Sequence, residues 1–163
     1  MVGRNLLAIS IVALFTISLN GCSSDPTPPT DLLLGSADFP EMNITETVRE
    51  IRANNEKGHA VQVELRGNEL LILESLVLFE NRDVALDILT RIKRDQTAQG
   101  VDSVPVKGFD DNSGVMVEHL DDVKKSTVFF VEGRTLVRIT VSGEKSAATI
   151  WEIADRARKK SEG

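Results

Sequence analysis

The chain has 163 residues, 25 acidic against 19 basic side chains, and a formal charge of −6. It holds no tyrosine, one tryptophan and six phenylalanines. That excludes a surface of stacked aromatics for bases or sugars, and no basic stripe exists to bind nucleic acid.

The first 21 residues divide into three parts. Arg4 and the amino terminus are positive, Leu6 to Leu19 is apolar apart from Ser10, Thr16 and Ser18, and Leu19-Asn20-Gly21-Cys22 closes the run. The apolar stretch falls short of the roughly 17–25 residues of a spanning helix, and its position suits a secretory signal. The ending resembles the lipobox of a bacterial lipoprotein precursor, with an aliphatic residue three places before Cys22 and glycine just before it. Asn20 is a less usual occupant of the middle position. The resemblance implies cleavage before Cys22, lipidation of that cysteine and a cell-envelope location on the extracytoplasmic side. Ser23 after the cysteine resembles an outer-membrane signal in an organism that has such a membrane. Cys22 is the sole cysteine, so an internal disulfide is excluded.

Residues 1–21 are thus expected to be a signal peptide and 22–31 a lipidated cysteine with its tether. Pro26, Pro28 and Pro29 favour extended geometry there. Residues 32–163 are enough for one domain with a real core. All 25 acidic side chains and all basic ones but Arg4 follow residue 21.

Leu32-Leu33-Leu34 is too apolar to stay exposed and is expected to pack back on the domain. Met42 to Arg52 mixes helical spacing with strand formers and is read as a strand. Ala60 to Leu65 alternates Val61, Val63 and Leu65 with polar residues, the pattern of a strand with one wet face. Arg66 to Glu69 is a turn. Leu70 to Phe79 reads as a central strand buried on both faces, with a bend or bulge near Ser75. Asn81 caps a helix whose apolar face is Val84, Ala85, Ile88, Leu89 and Ile92, with Asp87 and Arg91 paired on its surface and fraying from Thr97 to Gly100.

Val101 to Val106 and Val115 to Leu120 are expected strands around a polar loop. Ser126 to Val131 and Thr135 to Val141 form a hairpin about Glu132-Gly133. A second amphipathic helix follows, with Ala147, Ile150, Trp151, Ala154 and Ala157 on its inner face and Trp151 as main anchor. The order predicts an α+β fold, a mostly antiparallel sheet with two amphipathic helices packed on it. A strand run followed by a helix occurs twice, which raises a loose internal duplication.

Chemistry-bearing residues are sparse. Asp110, Asp111 and Asn112 with His119 form a candidate weak cation or polar site, and an enzyme would be built there. The calcium-loop phrase fails: Gly114 takes the fifth place, Val115 the sixth and Asp121 the twelfth. Turn formation and strand packing account for these residues, so no catalytic, cofactor-binding or metal residue is assigned. His59 reads as a surface residue, and Glu41, Glu46 and Glu50 as solvated charge.

The order from Leu33-Leu34 through Asp38-Phe39-Pro40, the strand into Phe79, and the hairpin Val128 to Val141 with its closing helix is similar to small envelope lipoproteins of unassigned function. Some of these resemble extracytoplasmic sensor or binding domains. The resemblance implies a non-enzymatic, membrane-anchored module that binds a small molecule or an envelope protein, with no cofactor. The alternative is a structural or assembly role in the envelope. The expected membrane partner is the bilayer, reached through lipid on Cys22.

Overall fold

The computed structural model describes residues 28–51, 59–101, 109, 115–119 and 125–162. Six strands form one sheet: β1 (Thr45–Ile51), β2 (His59–Arg66), β3 (Leu71–Leu78), β4 (Val115–His119), β5 (Lys125–Glu132) and β6 (Thr135–Ser142). Their order is β1-β2-β3-β6-β5-β4, and every pair is antiparallel. Two helices, α1 (Arg82–Ala98) and α2 (Ser146–Ser161), pack on it. The α+β fold with an antiparallel sheet is therefore present. Val101 to Val106 lies outside the described residues apart from Val101 itself. Among the described residues no helix is long and apolar enough to cross a membrane.

The helices take opposite faces. Val61, Val63 and Leu65 of β2, Ile72 and Leu76 of β3, Val137, Ile139 and Val141 of β6, and Val128 and Phe130 of β5 point to one side, the front. There they meet Ile150, Ile153, Ala154 and Ala157 of α2. The intervening residues Val77, Phe129, Val131 and Leu136 point to the back, with Phe79, and meet Ala85 and Leu89 of α1. Period-two alternation in the strands sorts the side chains between the two cores.

β3 is central in the sheet, as expected, but it is buried on one face only, with Leu71, Leu73, Ser75 and Val77 half-buried on the other, and it carries no bulge. It pairs residue for residue with β2 and β6 from Leu71 to Leu78. Glu74, which interrupts the apolar run in sequence, points into the front core and is fully buried. The hairpin turn is Gly133-Arg134, one residue later than expected, because Glu132 already pairs with Thr135. Gly133 has φ +54°, a left-handed conformation that favours glycine.

Asn81 caps α1 as expected, its side-chain oxygen accepting from Val84 N at 3.0 Å. The helix end is ordered rather than frayed. Gly100 takes φ +78°, its N–H donates to Thr97 O, and Val101 N donates to Gln96 O. In α2 the buried stripe is Ser146, Ile150, Ile153, Ala154 and Ala157. Ala147 is exposed, and Trp151 is half-buried at the edge of the front core. The helix is rotated so that Ile150 and Ile153, not Trp151, face the sheet squarely.

Strand order is symmetric about the β3–β6 pair, as a duplicated unit would give. A two-fold axis relating antiparallel neighbours must pass through the sheet, and so would put both helices on the same face. They lie on opposite faces. The two halves share an order of elements, not a repeated packing.

Candidate functional site

The residues singled out in sequence lie mostly elsewhere. Cys22, Asp110, Asp111, Asn112, Asp121 and Asp122 fall outside the described residues. His119 ends β4 opposite Lys125 of β5. His59 begins β2 and is exposed, as expected of a surface residue. Among the described residues, no three His, Cys, Asp or Glu side chains converge to hold a metal ion.

What the fold does build is a strap. Residues 29–44 run from a 3-10 turn at Pro29–Leu32, through a second at Ser36–Asp38, into β1. Leu32, Leu33, Leu34 and Phe39 are buried in the front core, as the apolar triplet requires. The 3-10 turn opens three residues before the expected domain start. Three successive amides of the strap each donate to a carboxylate: Leu34 N to Glu74 Oε2, Gly35 N to Asp38 Oδ2 and Ser36 N to Glu46 Oε2, all at 2.7 Å. Where such an acceptor is ionised, the bond is shorter and stronger than one between neutral groups. Glu46 is thus an acceptor from the strap rather than merely a solvated charge.

Helix α2 closes over the strap with cations. Lys160 Nζ lies 2.6 Å from Asp38 Oδ2. Arg156 donates to Asp38 O and stacks its guanidinium 5.1 Å from the Phe39 ring centroid. The same arginine donates to Glu152 Oε1 at 2.7 Å and lies 3.5 Å from Glu41 Oε1. The Glu152 bond holds its charge above the ordinary guanidinium range.

Glu74 stands apart from the other carboxylates. Its Oε2 takes the Leu34 N–H, while its Oε1 is buried with no hydrogen-bond partner. Burial raises its pKa to about 7. The Leu34 N–H and Lys160 pull the other way, and Asp38 adds a small upward push. A buried carboxylate with one partner is costly to ionise.

Beside the strap is a cavity of about 410 Å³ at one end of the sheet. Glu41 to Asn43 of the strap, the β2–β3 turn at residues 67–70 and the start of α2 line it. Close approach of two turns shapes it. Gly143 has φ +141°, and a Cβ there would sit 2.4 Å from Glu69 O. Only glycine lets the β6–α2 turn lie against the β2–β3 turn. The lining includes Glu41, which also lies 3.5 Å from Arg156, with Glu69, Glu144, Lys145, Asn43, Asn68 and the apolar Met42 and Leu70. Thr149 also lines it, but its hydroxyl is spent on Lys145 O at 3.0 Å. Such a wall can hold a polar molecule by charge and hydrogen bonds. Its polar residues are scattered over three loops in sequence, and no motif joins them.

Comparison with protein-family models gives no match, and comparison with curated proteins gives none. Among solved structures, the chain is similar to the extracellular domain of PknH from Mycobacterium tuberculosis. The TM-score is 0.60 at 11% identity, over 81% of this chain and 93% of the other. At that identity the likeness is one of fold.

Proposed function

We propose that this chain is a non-enzymatic binding module, held by lipid on Cys22 at the extracytoplasmic side of the cell envelope. The observation that carries the reading is the fold, which is similar across most of both chains to a domain described as extracellular. The signal-like leader and lipobox-like ending at Cys22 support it from the sequence. The ligand is a small polar molecule seated in the cavity between the strap and the β2–β3 turn. A wall that includes the Glu69 side chain on the β2–β3 turn favours a ligand with a positively charged end. Large apolar side chains exposed among the described residues are Met42 and Val48, too few to favour a broad protein-docking patch.

The experiment begins with the full chain expressed in a bacterium. Intact mass spectrometry of the membrane fraction is expected to find residues 1–21 removed and acyl mass on Cys22. Cys22→Ser is expected to release the protein from the membrane or block its processing. The purified lipoprotein is then titrated calorimetrically with small amines and amino acids, alongside Glu69→Gln. Heat that disappears in that variant supports the cavity. A retained leader with an unmodified cysteine would defeat the anchoring. Binding unaffected by Glu69→Gln would move the ligand elsewhere.

A further inference from the structure

We propose that Glu74 is a proton-controlled latch on the strap: protonated, it holds residues 32–36 on the front core; ionised, it drives the strap to lift and admit water.

The geometry leaves an ionised Glu74 few ways to be satisfied. It projects from the middle of the central strand, fully buried, with one oxygen on the Leu34 N–H and the other unpartnered. Its neighbours across the sheet, Val63 on β2 and Ile139 on β6, are apolar and fully buried. The charged groups come from the strap and α2. Lys160 is already held by Asp38, and Arg156 by Asp38, Glu152 and Glu41. Glu46 is occupied by Ser36 N on the strap's outer side. Lys160 and Asp38 are partly exposed and offset one another, so losing the Glu74 proton adds a net negative charge on the one group of the three that is fully buried.

The strap is the piece that can yield. It crosses the front face without joining the sheet, and lifting it brings water to the carboxylate without breaking a strand pair. With the closed-state carboxyl titrating near 7 and the open-state one near its ordinary 4.5, the direction is fixed. The closed form binds the proton more tightly. It is favoured in full below about pH 4.5 and loses ground until about pH 7, where the effect levels off. The opening constant is expected to rise by up to about tenfold per pH unit between the two values, and by about 40-fold from pH 5 to pH 7. Where the opening extends to residues 41–43 it also removes them from the cavity wall, and a cavity ligand then binds best to the protonated protein.

The test is hydrogen exchange of the full chain in detergent from pH 5 to pH 8.5, read on peptides from residues 29–44 and corrected for intrinsic rates. Strap opening is expected to rise and then level off in the parent and to stay flat in Glu74→Gln, whose amide oxygen still accepts from Leu34 N. A flat parent profile, or the same rise in Glu74→Gln, would overturn the latch. Should that variant not fold, carbon-13 titration of the Glu74 carboxyl in the parent decides. A midpoint near 7 supports the latch, and one in the ordinary carboxylate range ends it.

Discussion

The two faces of the sheet are covered by different means. On the front, α2 and the strap together bury side chains from β2, β3, β5 and β6 in one cluster. On the back, α1 covers the hairpin end, over Val77, Phe129, Val131 and Leu136. Further along the back face Gln62, Glu64, Ser75 and Arg138 are partly or well exposed, while Thr127 and Thr140 are buried and hydrogen-bonded to one another at 3.0 Å. The front holds the larger buried cluster, and α1 packs on one end of the back. Cover made from two pieces, one a helix and one a strap, can be opened in part. Cover made from one helix stays or leaves as a unit.

The contrast breaks first at Phe130. Its ring is fully buried in the front core and lies 5.1 Å from that of Phe109. Phe130→Ala is expected to cost about 3–5 kcal/mol, from lost burial and the cavity left behind. Against a typical domain stability of about 5–15 kcal/mol, that is enough to shift the whole urea transition. A midpoint near that of the parent would mean that the front face does not dominate.

Asn81→Ala sharpens the same contrast at lower cost. Losing the 3.0 Å cap on Val84 N is expected to destabilise α1 by about 1 kcal/mol. If α1 is a satellite, faster amide exchange appears in α1 and spares β2 and β3. Equal acceleration in the front strands would make α1 part of the same cooperative unit.

Local chemistry was legible in the sequence. The alternation of Val61, Val63 and Leu65, the Asn81 cap and the branched residues about Gly133 each announce their element within a few positions. What was hidden depends on distance along the chain. Glu74 reads as an interruption of an apolar strand, and a bulge is the local remedy. Its actual partner, Leu34 N, lies forty residues earlier, where no periodicity points to it. Glu41 and Glu46 look like solvated charge until α2 and the strap meet them. Trp151 looked like the anchor of α2 because size suggests burial. The rotation of the helix is set instead by how closely Ala154 and Ala157 let it approach the sheet. The cavity is likewise invisible locally, since its wall is assembled from three loops.

The strap has a mechanical consequence. A pull entering the chain at Pro28 reaches Leu32 to Leu34 before it reaches any strand, and it loads their bonds one after another rather than all at once. Peeling of that kind yields at low force. Residues 29–44, drawn straight at about 3.3 Å each, would reach roughly 50 Å, and the line paid out is that length less their folded span. The segment would act as a fuse, giving slack while the six-stranded sheet stays whole. Optical-tweezer extension of the full chain, held at residue 22 and at its C-terminus, should therefore show a small early step before the main rip, and a single rip would remove the fuse.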